Sequence, residues 1–399
     1  MRAARRAGAG GGSGDAPAGW AGAARELHVL DATMLYGPGS GGVARYLREK
    51  RAWLARHGAG RHTLVVPGPA DGIGPSGEIQ VKTRALTRAA YRWPCHPARW
   101  AREMRSRAPD LIEAADPGPV GWTAWYVARR LGVPLIGFCH SDVVRLVEHR
   151  LGTAAAVPVW LYARLFYRRC DIVIAPSEHM RRRLADWGVR DVRVVPLGVD
   201  LDTFSPVRRD RAVMRKLGVP PHRRVLVYAG RFAPEKNIEV LLEAFRRLGD
   251  DYHLVLAGGG RPIPAQSNVT LVPYLQSSQA LARLLASADG LVHAGDQETF
   301  GLILLEAMAC GRGVVAAAGG AAPEVVGPDA GVLVRPRDPD ALAAGVAAFY
   351  AAGVDELGAR ARRRVEQRYS WDGAMRSLMR VYRDALETAG LPSARYAAP

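Results

Sequence analysis

The chain has 399 residues, 48% hydrophobic and 23% charged, which is enough for two domains with proper cores and excludes a stapled peptide, a fibre or a wholly disordered protein. Its net charge of +17 comes from 55 basic and 38 acidic residues, and residues 1–200 hold 30 of the basic against 17 of the acidic. The first half therefore attracts anions without choosing among them.

Residues 1–24 are rich in Gly, Ala and Arg with no apolar period and read as a disordered leader. From Glu26 onward, short apolar runs alternate with longer helical patterns, the signature of parallel α/β layers. Strands are expected at 27–30, 63–67, 111–114, 135–139, 172–175 and 192–195, with helices at 43–57, 123–131 and 178–187 between them. Ser177 is placed to cap the last of these helices. The stretch 196–206 has proline at both ends and no period, which marks a crossover between domains.

A second series follows, with strands at 225–229, 253–257, 290–293 and 313–316 and helices at 238–248, 278–287 and 300–310. In 365–386, Trp371, Met375, Leu378, Met379 and Tyr382 recur at helical spacing, a stripe suited to core packing. The expected organisation is a leader at 1–24, Rossmann-like domains at 25–200 and 201–375, and a terminal helix and tail at 376–399 returning to the first domain. Open α/β sheets bind ligands at the carboxyl ends of their strands, so the cleft between the two halves is the expected site. Cys95, Cys139, Cys170 and Cys310 have neither zinc nor disulfide-framework spacing, and no apolar run reaches the length of a membrane span. Both features point to a reducing, cytoplasmic setting.

The strongest motif is the pair Glu298 and Glu306 around a strand-to-helix junction. A helix opening near Phe300 would direct the amides of Phe300, Gly301 and Leu302, and the positive end of its dipole, at an anion between the carboxylates. Each carboxylate can accept two hydroxyl hydrogen bonds from a ring, so a sugar, a diphosphate and a ribose fit in that order. An isolated pair would instead read as an N-cap and a solvated glutamate.

Arg231 and Lys236 follow the strand at 225–229 and supply a fork and a point charge for a leaving diphosphate; a salt bridge within the loop to Glu235 is the competing reading. Gly37, Gly39 and Gly42 match G-x-G-x-x-G, yet the next strand ends in Pro67 and Gly68 with no acid for a dinucleotide ribose, so a phosphate-approaching loop through Gly41 and Gly42 is favoured over a dinucleotide site. His140 emerges from the strand at 135–139 toward the cleft, placed for substrate contact or proton handling.

Together ETFGLILLEAMACG at 298–311, GRFAPEKN at 230–237, the glycine loop and PSEHMRRRL at 176–184 with VVPLGVDLDTFSP at 194–206 resemble the retaining GT-B glycosyltransferases of family 4. The resemblance runs from about Glu26 to about Tyr382. It implies two Rossmann-like domains facing a cleft, a nucleoside-diphosphate sugar as donor substrate, and neither a metal nor a further cofactor. It also implies a diphosphate held by Arg231 and Lys236, a ribose by Glu306 and a donor sugar by Glu298 with His140 beside it. Phe300, Gly301 and Leu302 would cover sugar and phosphate, and Gly41 and Gly42 would approach from the other domain. Asn237 and Gly313 depart from the family's usual Gly and Pro.

The expected acceptor is a glycan or lipid, as the ATMLYGPGSGGVARYLREK opening at 32–50 is similar to that of enzymes of envelope-sugar assembly. Peripheral contact with an anionic membrane is expected through the Arg-rich segment 84–107 with Tyr91, Trp93 and Trp100. Nucleic acid is not an expected partner. A nucleotide-sugar epimerase or hydrolase, or a non-catalytic polyanion- or glycan-binding protein, are the alternatives.

Overall fold

The computed structural model describes residues 26–37, 41–85, 92–94, 96–210 and 212–391. The leader, Gly39, Tyr91 and Cys95 lie outside them. All six strands read in the first half are present in one eight-stranded sheet; the apolar runs of five become its buried interior, while Val192–Val194 lies half-exposed at an edge. Its order is Val192–Val194, Ile172–Ala175, Leu135–Phe138, Leu111–Ala114, His28–Ala32, Arg61–Gly68, Ile79–Lys82 and Gly72–Ile73. Every pair is parallel except the last. The second half forms a six-stranded parallel sheet, ordered Val269–Pro273, Tyr252–Gly260, Arg224–Phe232, Gly290–His293, Gly313–Ala317 and Gly331–Val334.

The chain passes between the domains along two adjacent segments. Val199 forms a bridge with Ser370 and its N–H donates to the Tyr369 carbonyl at 2.9 Å. Gly198 is required there, because a Cβ would stand 2.4 Å from the Trp371 nitrogen. The helix Trp371–Thr388 then lays its apolar stripe against the first domain: Met375, Leu378 and Tyr382 are nearly solvent-free and share a core with Tyr46, Leu47 and Trp53 of helix Gly41–His57. Ser370 caps this helix through the Gly373 N–H, and the Trp53 indole donates to Asp372 at 2.8 Å.

Of the aromatic residues expected to meet a membrane in the segment 84–107, the structure describes the side chain of Trp100, and that one is not on the surface. In the segment 84–107, helix Pro97–Ser106 buries Trp100, Ala101 and Met104 and turns Arg and Glu outward. Trp100 is 1% exposed and cannot meet a lipid. The three described cysteines, Cys139, Cys170 and Cys310, are free thiols. Among the described residues no single helix is long and apolar enough to cross a membrane.

Candidate active site

A cavity of about 1060 Å³ lies between the carboxyl ends of the two sheets. Gly41, Gly42 and Arg45 line it from the first domain, and Gly230, Leu302 and Glu306 from the second. The helix Gly41–His57 starts directly at the glycines, with Gly41 at φ +32°. A Cβ on Gly42 would come 3.3 Å from the Leu302 Cδ1. The starts of two helices from opposite domains thus converge on one space, and both dipoles present their positive ends to it.

The second helix begins later than the sequence suggests. It spans Leu302–Ala309, and Gly301 caps it in the left-handed region at φ 89°. The amides left without intrahelical partners are therefore those of Gly301, Leu302 and Ile303. Phe300 does not join them: it precedes the cap, and its ring is 3% exposed, edge-on to Tyr369. Glu298 and Glu306 are neither caps nor solvated residues. Glu306 is buried on the inner face of the helix and forms an ion pair with Arg45 from the other domain.

Glu298 sits in the preceding loop, ion-paired to Lys236 and 3.1 Å from the His293 Nε2. Burial would raise its carboxyl, but the Lys236 charge and the His293 hydrogen bond outweigh this and hold it below the ordinary carboxylate range. The loop is pinned from behind, where the Ala321 N–H donates to the Glu298 carbonyl at 2.8 Å.

Lys236 ends a short 3-10 turn, Pro234–Lys236, after the strand Arg224–Phe232. Asn237 follows at φ 50°, a conformation that glycine adopts freely and asparagine tolerates. Its side chain donates to the Ala294 carbonyl and to Asp296, so the departure from glycine adds two tethers to the loop. Arg231 is placed differently from Lys236. Its side chain is 59% exposed and reaches Glu235 at 3.2 Å, the loop salt bridge that competed with the diphosphate reading. Glu298, Arg231 and Glu235 all lie near enough to act on the Tyr228 phenol, which burial already pushes up. The cations and the carboxylate therefore share one end of the domain, although Arg231, Lys236 and Glu298 do not line the main cavity.

His140 lies on the first-domain side, stacked on Phe138 with ring centroids 3.8 Å apart and packed against Tyr46. Burial, then the nearby Lys50 charge, push its imidazole down to about 3, so it is neutral at working pH. Among the described residues its Nε2 has no hydrogen-bond partner. Its carbonyl accepts from the Thr299 hydroxyl at 2.9 Å, and Ser177, which caps helix Glu178–Asp186, also donates to the Thr299 carbonyl at 2.7 Å. The loop carrying Glu298 is thereby sewn to both His140 and Ser177 across the cleft.

Two features escaped the sequence reading. Arg45 is one. The other is a fully buried network under the first sheet, in which Lys50 donates to Asp31, Glu113 and Tyr382 at 2.7–2.8 Å and Tyr46 donates to Glu113 at 3.0 Å. A signal existed. The chain has only four lysines among its 55 basic residues, and two of them, Lys50 and Lys236, make close ion pairs in places that call for a compact charge.

Among the described residues no three His, Cys, Asp or Glu side chains gather as a metal site. Residues 40–203 match the family described as Glycosyltransferase Family 4, and residues 223–352 the family described as Glycosyl transferases group 1. A GDP-mannose-dependent alpha-mannosyltransferase of Mycolicibacterium smegmatis is 33% identical over 56% of this chain and 60% of its own length, so less than two thirds of that relative is spanned. A D-inositol 3-phosphate glycosyltransferase of Geodermatophilus obscurus is 34% identical over 70% of this chain and 66% of its own. A GDP-mannose-dependent alpha-(1-6)-phosphatidylinositol dimannoside mannosyltransferase of Mycobacterium tuberculosis is 29% identical over 88% of this chain and 95% of its own.

Among solved structures, sucrose-phosphate synthase from Thermosynechococcus elongatus superposes with a TM-score of 0.76 at 22% identity, covering 91% of this chain and 100% of that one. HepE of Anabaena in complex with UDP-glucose gives 0.71 at 19% identity, covering 90% and 100%. The chain belongs to the group 1 glycosyltransferases and has their GT-B fold.

Proposed function

We propose that the protein transfers a sugar, with retained anomeric configuration, from a nucleoside-diphosphate sugar to a hydroxyl of a glycan or lipid acceptor. The observation that carries this reading is the pair of sheltered carboxylates, Glu298 and Glu306, flanking a helix start directly opposite Gly42 of the other domain. Each carboxylate is paired to a cation. A donor replaces those contacts with its own hydroxyls, those of the ribose at Glu306 and of the sugar at Glu298, and frees Lys236 to face its phosphates.

In the reaction the bond from the anomeric carbon to the phosphate oxygen breaks, and a bond to the acceptor oxygen forms. The acceptor proton leaves with the diphosphate. Negative charge grows on the diphosphate as the sugar becomes oxocarbenium-like, so Lys236, Arg231 and the amides of Gly301 and Leu302 stabilise the transition state more than the ground state. Neutral His140 offers its Nε2 to a hydroxyl of the donor sugar without adding a positive charge beside the cationic carbon. No metal and no further cofactor enters this scheme.

GDP-mannose is the first donor to try, because two of the relatives described above are named as GDP-mannose-dependent. Proton NMR of the product made from a donor of known anomeric configuration tests the proposal. A new glycoside of the same configuration, formed only when acceptor is added, supports it. Free sugar or an epimerised nucleotide sugar, formed without acceptor, would identify the hydrolase or epimerase instead.

A further inference from the structure

Beside His140 the first domain presents an apolar surface that the cleft does not use. Helix Val143–Leu151 starts three residues after His140 and runs to the diphosphate loop, where Arg150 lies 3.6 Å from Glu235. Gly152 turns the chain into helix Thr153–Tyr167, which is apolar on both faces. Ala156, Ala163, Phe166 and Tyr167 are buried in the domain core. On the other face Val157, Leu161, Tyr162 and Leu165 are 54%, 45%, 43% and 38% exposed, and Leu151 at the turn is 72% exposed. A surface helix in water carries polar residues on that side. Tyr126 of the neighbouring helix Pro119–Leu131 extends the patch, and a groove of about 450 Å³ between Pro97, Trp122 and Tyr162 continues it.

The charge around the patch selects its occupant. Residues 119–169 contain seven arginines and two acids. Of the acids, Asp142 is buried and Glu148 is paired to Arg145. Arg130, Arg164 and Arg169 pack their guanidinium groups over Tyr126, Trp160 and Trp122 at 5.3–5.5 Å, an arrangement of aromatic bodies with cationic rims. A second copy of the chain would set these arginines against one another. An anionic bilayer takes both parts, the apolar side chains at the acyl boundary and the arginines among its phosphates.

We propose that the face built from helices Pro119–Leu131 and Thr153–Tyr167 docks on an anionic lipid surface. Docking sets His140 and the diphosphate loop beside the headgroups, where a lipid acceptor would present its hydroxyls; this consequence rests on the transfer reading, whereas the docking itself does not.

The test sediments the full chain with vesicles of phosphatidylcholine alone and of phosphatidylcholine mixed with phosphatidylglycerol, with neither donor nor acceptor present. The protein is expected to pellet with the mixed vesicles only, and less as salt is raised. Because any strongly basic chain adsorbs to anionic lipid, the deciding variant keeps the charge. Leu161→Ser combined with Leu165→Ser alters two exposed side chains and is expected to weaken binding to the mixed vesicles at least about tenfold, with circular dichroism and melting temperature unchanged. Binding equal to that of the wild type overturns the proposal. So does self-association of the wild type, abolished by the same variant, in the absence of vesicle binding. Donor-induced melting shifts on the same preparations report the transfer reading separately.

Discussion

Arg45 of the first domain and Glu306 of the second form an ion pair across the cleft. Glu306 is 5% exposed at its side chain, so its carboxylate needs a partner at all times, either Arg45 or the hydroxyls of a donor. Arg45→Met is therefore expected to destabilise the free protein by about 2 kcal/mol. A bound donor should recover much of that loss. The melting shift caused by donor should be larger in this variant than in the wild type, and an equal shift would show that Glu306 does not meet the donor.

Lys236 is ion-paired to Glu298, the carboxylate proposed to meet the donor sugar. Lys236→Ala is expected to lower kcat at least about tenfold with circular dichroism unchanged. Lys236→Arg should restore part of the loss, because it keeps the charge without the compact ammonium. Arg231→Ala is expected to reduce turnover likewise, although Arg231 must first leave Glu235. Normal turnover in both alanine variants would contradict the assignment.

His140 is neutral, with its pKa depressed from 6.5 to about 3 by burial and by Lys50. The pH profile of kcat should show no limb near 6.5 that disappears in His140→Asn. His140→Phe keeps the stack on Phe138 but removes the Nε2, and should cost about tenfold or more in kcat. His140→Asn should lose less. A pH limb present in the wild type and absent from both variants would mean that the imidazole titrates during turnover.

Glu113 gives a stability prediction. Burial pushes its carboxyl up from 4.5 to about 7, helped by the Asp31 charge and opposed by Lys50. Lys50, Asp31, Tyr46 and Tyr382 contact it directly or through Lys50, and His62 lies beyond Asp31. The folded state holds this proton more tightly than the unfolded chain, so the contribution is full below pH 4.5 and is lost as pH rises through about 7. Its slope is at most about 1.4 kcal/mol per pH unit. Urea unfolding of Glu113→Gln should show a flatter pH dependence across that window, and an unchanged slope would remove Glu113 as its source.

Much of this arrangement was legible in local sequence. Central strands such as Leu111–Ala114 and Ile172–Ala175 are buried on both faces, so their apolar runs stand out. The edge strands Gly72–Ile73, Val269–Pro273 and Gly331–Val334, and Ile79–Lys82 one place in from an edge, were missed. They are partly exposed, Ile73 by 78%, and their apolar residues form no continuous run. The start of helix Leu302–Ala309 was misplaced by two residues because Gly301 takes a left-handed turn, which a hydrophobic pattern does not register. The Lys50 network joins residues 63 and 332 positions apart, so no spacing rule could have found it. The pairing of Arg45 with Glu306 depends on how the two domains meet, information absent from either half alone.

Transfer requires the second domain to hold a nucleotide sugar through its carboxylates and cations. Thermal unfolding of the wild type and of Lys236→Ala combined with Glu306→Gln, each with UDP-, GDP- and ADP-sugars, measures this directly. At a ligand concentration of about one hundred times Kd, the true donor should stabilise the wild type by about 2.7 kcal/mol, and the double variant should show almost none of that gain. Equal shifts in both proteins, or no shift with any of the three bases, would contradict the account.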